Sequence, residues 1–410
     1  MIDEVRTFFG SELGYVVILF VLFIIPRVLQ RWRLPSAITS LALGALGGLG
    51  FGLFVHDETI HMLATFGIVN LFLFAGFEVE AALLRKEARV VGVHLGVGLV
   101  LLLAATVTLR WLFSLDVKAA VLIGLALLTP STGFILDSIG RMGLTPGERQ
   151  AVKSKAIATE LLALAVLFFV LQSTSAANLV VATLALAAIV VALPWLFRFF
   201  ASRIAPYAPG SEFAFLVMMA VLAAYATRRL GAYYLVGAFL VGVLSRRFRQ
   251  SLPAQTSERL LHAVEAFASF FAPFYFFSAG AALRGGDFSL VGLALGVVFF
   301  LLAIPIRLAA VASHRAAALG EPLWQSLRVA VPLLPTLVFT LVLVDVLRET
   351  SSVPGFVYGG LIVYALLSTL LPSLVFGTPT PVFDAPELPP ETSPRESPEG
   401  PGEKPLTPGA

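Results

Sequence analysis

Thirteen long apolar stretches recur between residues 14 and 378, and they constrain the fold more than any other feature of the sequence. Of the 410 residues, 58% are hydrophobic and 13% are charged, about half the charged fraction of an ordinary soluble domain. A stretch of about 20 apolar residues can cross a bilayer as a helix, whereas barrel strands would show short alternating segments. The sequence therefore predicts an all-α polytopic membrane protein with about 13 transmembrane helices.

The predicted spans divide the chain into a membrane domain and a tail. They cover residues of about 14–30, 36–54, 60–82, 89–113, 117–139, 149–173, 177–199, 211–228, 232–246, 261–283, 288–313, 322–346 and 355–377. Residues 378–410 hold 10 of the 25 prolines and almost no bulky apolar side chains. Because such a composition cannot bury a hydrophobic core, we expect a transmembrane domain over 1–377 and a disordered, acidic, Pro-rich tail over 378–410.

Composition also argues against several function classes. The chain has no cysteine, which excludes disulfides and thiolate chemistry. Its net charge of +3 comes from basic residues between the apolar stretches, so no nucleic-acid partner is indicated. No Ser-His-Asp set, His-rich segment or acidic metal cluster stands out, so the sequence predicts neither an enzyme nor a resident metal or cofactor. The acidic N-terminus predicts no cleavable signal peptide.

The placement of lysine and arginine predicts the orientation in the membrane. Alternate connections carry seventeen basic residues on one side of the membrane and seven on the other. In helical membrane proteins the more basic connections face the cytoplasm. We therefore expect the N-terminus outside and the tail in the cytoplasm, with the protein in an inner or plasma membrane.

Two pairs of similar segments indicate an internal repeat. The segment LFLFAG at 71–76 resembles FYFFSAG at 274–280, and LTPSTGF at 128–134 resembles LLPTLVF at 333–339. The spacings are nearly equal, at 204 and 205 residues. Seven crossings separate the starts of the halves, so the repeats enter from opposite faces, which is the usual plan of secondary transporters. Repeat one covers about 14–173, a connector helix about 177–199, and repeat two about 211–377.

Both repeats carry proline in the middle of a predicted span. Proline removes a backbone donor and clashes with the carbonyl one turn earlier, while neighbouring hydroxyls and glycine can satisfy or loosen the freed backbone. Broken helices of this kind expose backbone dipoles at mid-membrane depth, where they suit a small ion. The predicted breaks contain Thr129, Pro130, Ser131, Thr132 and Gly133 in the fifth span, and Pro332, Pro335 and Thr336 in the twelfth.

Glu160 is the residue in the apolar part of the chain with the highest free-energy cost of insertion into a membrane. It lies in the sixth span, roughly 16 Å from the cytoplasmic end at 1.5 Å per residue, where a carboxylate costs at least ~2.5 kcal/mol to insert. Removal from water favours its neutral form, so one group could hold either a proton or a cation. Thr159, Ser131 and Thr132 offer further oxygen ligands. The structural alternative is a Glu160 neutralised by a buried arginine without a role in transport.

Arg307, in the eleventh span after Pro305, is the candidate counter-charge to Glu160. An arginine stays protonated at physiological pH, so it can balance charge without exchanging a proton. The alternative is an arginine that extends to the lipid headgroups. The position 205 residues after Glu160 is Ala365, and the position 205 residues before Arg307 is Leu102. The acid and the base therefore belong to different repeats.

The chain resembles the monovalent cation:proton antiporter superfamily, and within it the Kef-type branch. The segments that carry this resemblance, over residues 14 to about 377, are LFLFAGFEVE at 71–80, TPSTGFIL at 129–136, AIATELLA at 156–163, GAFLVG at 237–242 and PFYFFSAG at 273–280. The resemblance implies a sodium/hydrogen exchanger fold of thirteen helices, in which a six-helix core moves against a dimerisation domain. It also implies a homodimer and an ion site where the two broken helices cross.

The resemblance places the family's paired acidic motif on Thr159 and Glu160, and the basic residue of a later core helix on Arg307. The sequence departs from the family pattern there, because the main carboxylate is glutamate and its neighbour is an uncharged threonine. A single acid favours one proton per cation and electroneutral exchange, although the departure is also compatible with altered selectivity or lost activity. Kef-type relatives often carry a nucleotide-binding domain, for which this sequence shows no phosphate-binding loop.

These features predict an antiporter that exchanges Na⁺ or K⁺ for H⁺ by alternating access. Two alternatives stay open at this point. One is a cation-coupled transporter of an organic solute, which would need a larger polar cavity than one carboxylate and a few hydroxyls provide. The other is a channel or non-transporting membrane protein in which Glu160 and Arg307 form a structural ion pair.

Overall fold

Helices occupy all thirteen apolar stretches in the computed structural model, which describes residues 9, 11–140, 142–172, 175–230 and 233–376. The described residues contain no strand, in agreement with the predicted all-α membrane fold. The α-helices are α1 (Glu12–Leu29), α2 (Ser36–Ala45), α3 (Glu58–Phe77), α4 (Ala81–Lys86), α5 (Ala88–Phe113), α6 (Val117–Leu128), α7 (Thr132–Ile139), α8 (Pro146–Gln172), α9 (Ala176–Arg203), α10 (Glu212–Arg229), α11 (Tyr234–Ser251), α12 (Ala254–Ala281), α13 (Leu290–Leu319), α14 (Leu323–Ala330), α15 (Leu337–Thr350) and α16 (Gly355–Phe376).

Nine helical segments of the described chain are long and apolar enough to cross a membrane, and the bent pair α14–α15 makes a tenth. The other three predicted spans correspond to α10, α11 and the α2 helix with its π-helical extension Leu46–Gly50, which are shorter or more polar. For these three, a full crossing stays a prediction. The predicted tail, 378–410, lies outside the described residues.

Side-chain caps help to set where several helices begin. Asp57 accepts a hydrogen bond from the backbone N–H of Ile60 at the start of α3, and Asp116 accepts one from Ala119 at the start of α6. Ser175 and Ser289 cap α9 and α13 in the same way. Each cap satisfies one of the backbone donors that the first turn of a helix leaves without an intrahelical partner.

The helices pack in two groups. The first, here called the outer panel, contains α1–α3 and α9–α12, with α12 lying along α2 and α3 and α11 along α3 and α10. The second, the core bundle, contains α5–α8 and α13–α16, which correspond to six predicted spans. The panel packs closely because of glycine: a Cβ on Gly242 of α11 would lie 2.3 Å from the Leu73 carbonyl oxygen of α3.

Two spans of the core bundle are broken near their middle, as their prolines predict. The chain leaves α6 at Leu128, is extended at Thr129 and Ser131 on either side of Pro130, and starts α7 at Thr132. In the other span, α14 passes into a 3₁₀ turn over Val331–Leu333, and α15 begins at Leu337 after a bend of 45°. Both breaks lie inside the bundle, so their freed backbone groups must find partners within the protein.

Candidate functional site

The two broken spans meet at their breaks. The backbone N–H of Ser131 donates to the Pro335 carbonyl at 2.8 Å, and the backbone N–H of Phe339 donates to the Ser131 hydroxyl at 3.3 Å. The Thr340 hydroxyl of α15 donates to the Ala126 carbonyl of α6 at 2.9 Å. The two repeats therefore satisfy each other's freed backbone groups, and the crossing that the family resemblance implies is present.

Glu160 lies beside this crossing, on α8. Its side chain is buried beside Thr132, the first residue of α7. Backbone N–H groups and the helix dipole make a helix N-terminus favourable for negative charge. Within the described part of the chain, Glu160 Oε2 and Thr132 Oγ1 are buried without a hydrogen-bond partner. Both residues line one small cavity, so these two unpaired oxygens are buried in the same part of the interior.

A cavity of about 10 Å³ lies at Glu160, which is about the space that one water molecule needs. It lies between the core bundle and α3 of the outer panel, and it is lined by Leu71, Phe72, Ser131, Thr132, Gly133, Glu160, Val338 and Phe339. A Cβ added at Gly133 would lie 3.5 Å from a Leu71 methyl group, at ordinary contact distance, so the missing side chain leaves room there. The cavity suits a single small cation, or a proton on the carboxylate.

Thr159 faces away from this cavity, although it precedes Glu160 directly. Its hydroxyl donates to the Lys155 carbonyl at 2.8 Å and lies 3.2 Å from His94 Nε2. Consecutive helical residues point about 100° apart, because a turn holds 3.6 residues. The structure therefore separates Thr159 from the ligand set predicted around Glu160, while Ser131 and Thr132 do share the cavity of Glu160.

The other predicted break residues lie around a second cavity or at the crossing itself. Thr129 and Pro130 line a mainly apolar cavity of about 80 Å³, together with Thr159 and Arg307. Pro335 supplies the carbonyl that Ser131 binds, and the Thr336 hydroxyl lies 3.3 Å from the Ser368 hydroxyl. None of these four predicted residues lines the cavity of Glu160 in the described structure.

Arg307 donates hydrogen bonds to backbone carbonyls and does not pair with a carboxylate in the described part of the chain. Its Nη2 donates to the Leu333 carbonyl at 2.6 Å, and its Nη1 donates to the Leu334 carbonyl at 2.8 Å and to the Tyr364 hydroxyl at 2.9 Å. Carbonyls at the C-terminal end of a helix carry partial negative charge, which explains the attraction. Among the described residues, Arg307 forms no ion pair with Glu160, so the predicted direct charge pairing is not observed.

A buried basic cluster is the feature that sequence reasoning missed. Lys155 is only 2% exposed, and its Nζ lies 3.4 Å from His314 Nδ1. The rings of His314 and His94 lie 6.4 Å apart, so the cluster joins α5, α8 and α13. The sequence placed Lys155 among the basic residues of a connection, yet it precedes Glu160 by only five positions inside α8. This short spacing from Glu160 within one helix was the sequence signal that Lys155 could be buried.

The sequence is similar to a family model and to two known antiporters. A family model described as "Sodium/hydrogen exchanger, transmembrane" matches residues 16–380. The chain is 36% identical over 75 residues to a probable Na(+)/H(+) antiporter 3 of Methanocaldococcus jannaschii, covering 18% of this chain and 19% of that protein. It is 24% identical over 282 residues to the Na(+)/H(+) antiporter NhaS5 of Synechocystis, covering 66% of this chain and 39% of that protein. The chain thus spans less than half the length of either curated relative.

The fold matches solved structures over nearly the whole chain. The sodium proton antiporter MjNhaP1 from Methanocaldococcus jannaschii at pH 8 aligns with a TM-score of 0.63 at 15% identity, covering 92% of this chain and 96% of that one. A structure of the same protein from an electron-microscopy map aligns with a TM-score of 0.66 at 13% identity, covering 89% and 95%. At this identity the similarity shows the fold alone.

We expect replacement of Arg307 by methionine to destabilise the protein, because Leu333, Leu334 and Tyr364 would lose their buried cationic donor. The free energy of unfolding should fall by no more than about 1.5–3 kcal/mol for each hydrogen bond lost. This fall should appear as a lower melting temperature in detergent. Arg229→Met, which removes an exposed arginine stacked on Tyr225, is the control. Adding Glu160→Gln should not rescue Arg307→Met; rescue would show that the two charges act as a pair.

Proposed function

The chain belongs to the transmembrane sodium/hydrogen exchanger family, and from this premise we propose that it exchanges a monovalent cation, Na⁺ or K⁺, for H⁺. Its long apolar helices and its family make it an integral membrane protein. The observation that carries the proposal is the Glu160 carboxylate, which is buried with an unpaired oxygen in a cavity for one small ion.

The proposed chemistry is competition for one carboxylate. When ionised, Glu160 binds the cation together with the neutral oxygens of Thr132 and Ser131; when protonated, it is neutral and releases the cation. Hard monovalent cations prefer such oxygen ligands. Because a single carboxylate alternates between one proton and one monovalent cation, we propose electroneutral one-for-one exchange. Arg307 supports this site from a distance, since its contacts fix the second break.

Dimensions and contacts at the site argue for this proposal over the alternatives. A cavity of about 10 Å³ has no room for an organic solute. A purely structural ion pair would place Arg307 against Glu160, whereas the hydrogen bonds of Arg307 go to Leu333, Leu334 and Tyr364. A buried carboxylate whose oxygen lacks a partner is costly for folding alone, so a transported ion or proton gives it a function.

Alternating access would require the core bundle to move against the outer panel. Two contacts tie α8 of the bundle to the panel: Lys153 Nζ bonds to Glu78 Oε2 at 2.9 Å near one end, and Gln172 Nε2 donates to the Leu230 carbonyl at 3.0 Å at the other. Because the cavity of Glu160 lies at the same boundary, its access would change when these contacts rearrange. We propose that the panel also forms the homodimer.

We also propose an outside N-terminus and a cytoplasmic tail in an inner or plasma membrane, because basic residues concentrate on one set of connections. The chain has no cysteine, so single cysteines can report this orientation without background. A cysteine at the exposed position Arg203 should react with a membrane-impermeant maleimide only after the membrane is opened. A cysteine at the exposed Arg284 should react in intact cells. The reverse labelling would overturn the orientation.

The proposed exchange is tested in proteoliposomes with an imposed pH gradient. Adding Na⁺ or K⁺ should dissipate the gradient for the unaltered protein, and Glu160→Gln should abolish this response because an amide cannot exchange a proton. Glu265→Gln, the same change at an exposed position of α12, should transport normally. Undiminished exchange by Glu160→Gln would refute the proposal, as would a gradient that no monovalent cation dissipates.

A further inference from the structure

Tyr364 of α16 has a buried hydroxyl that joins the two broken spans. Its side chain is fully buried, and its hydroxyl donates to the Leu127 carbonyl of α6 at 2.6 Å. The same hydroxyl accepts from Arg307 Nη1 at 2.9 Å, and Arg307 in turn donates to Leu333 and Leu334. A continuous set of hydrogen bonds therefore runs from the end of α6 to the 3₁₀ turn before α15.

These hydrogen bonds satisfy the carbonyl groups at helix ends that a break leaves without partners. The last carbonyls of a helix have no intrahelical donor, and in an apolar interior each unpaired group costs free energy. Tyr364 supplies a donor to Leu127, and Thr340 supplies one to the neighbouring carbonyl of Ala126. Arg307 supplies donors to the corresponding end in the other repeat. The Tyr364 hydroxyl connects the two ends, because it donates to Leu127 and accepts from Arg307.

Separate contacts join the two breaks on the side of Glu160. There the Ser131 N–H binds the Pro335 carbonyl and the Ser131 hydroxyl accepts from Phe339. Ser131 and Thr132 lie only four and five residues after Leu127, the carbonyl that Tyr364 holds. Since the segment between them is extended and not helical, the position of Thr132 relative to Glu160 depends on how both ends of the break are held.

The offset of the repeat places Tyr364 next to Ala365, the counterpart of Glu160. The offset of 205 residues relates Thr159 to Tyr364 and Glu160 to Ala365. In repeat one, α8 therefore places a carboxylate at the N-terminus of a half-helix. In repeat two, α16 has only the methyl group of Ala365 at that position. Its neighbour Tyr364 instead places a phenol at the C-terminal end of α6 in repeat one.

We propose that Tyr364 is a positioning residue for cation exchange, which holds the α6–α7 break so that Thr132 and Ser131 stay at ligand distance from an ion on Glu160. This inference rests on the proposed function. A ligand set that is held in place before the ion arrives binds it more tightly, because less ordering is needed on binding. Loss of the hydroxyl should therefore weaken cation binding before it affects the amount of folded protein.

The test is Tyr364→Phe in proteoliposomes, with the apparent KM for Na⁺ or K⁺ and the maximal rate measured separately. We expect the KM to rise roughly tenfold, the order set by losing one buried hydrogen bond, with a smaller change in maximal rate. Tyr275→Phe is the matched control, because it removes a buried hydroxyl that has no hydrogen-bond partner among the described residues. Its KM should stay unchanged.

Two results with the Tyr364→Phe protein would overturn the inference while leaving the proposed function intact. One is a folded Tyr364→Phe protein with an unchanged KM. The other is a fall in maximal rate alone, since fewer active molecules with normal affinity would indicate a merely structural role. If Tyr364→Phe fails to give a single peak in size-exclusion chromatography, Thr340→Val removes the donor to Ala126 in the same break, and an unchanged KM there also overturns it. Absence of exchange by the unaltered protein would instead refute the proposed function.

Discussion

Breaking two helices inside an apolar bundle leaves backbone groups that water cannot satisfy, and the rest of the core depends on how these groups are paired. The breaks cross, so that Ser131 and Thr340 bind backbone groups of the opposite repeat. Arg307 and Tyr364 satisfy the carbonyls that remain at the helix ends. Glu160 lies beside the start of α7 and shares a small cavity with Ser131 and Thr132. A site for charge thus follows from the break itself.

The two predicted repeats each contain one broken span but differ in chemistry. Glu160 has a methyl group as its counterpart at Ala365, and Arg307 has an apolar one at Leu102. Each broken span therefore supplies half-helices to the crossing, and of the two positions related by the 205-residue offset only Glu160 is acidic. A single acid in the crossing is the physical basis for proposing that one proton is exchanged for each monovalent cation.

Much of the fold was predictable because membrane insertion imposes simple rules on sequence. Apolar length located all thirteen helical stretches, and Pro130 and Pro335 marked both breaks. The burial of Glu160 followed from its depth in an apolar span. Contacts between helices were harder to predict, because helical period fixes the angle between Thr159 and Glu160 but not which face meets α7. Arg307 was expected to oppose a carboxylate, since sequence shows charged side chains but not the partial charges of carbonyls at a broken helix end.

The most direct measurement of the central claim is proton release from the purified protein in weakly buffered detergent solution. If the cation and the proton both occupy the carboxylate of Glu160, as we propose, addition of Na⁺ or K⁺ should release one proton for each cation bound. The amount released should fall as the starting pH rises, since fewer molecules then carry the proton. Cation binding without proton release, or equal release from Glu160→Gln, would contradict the account.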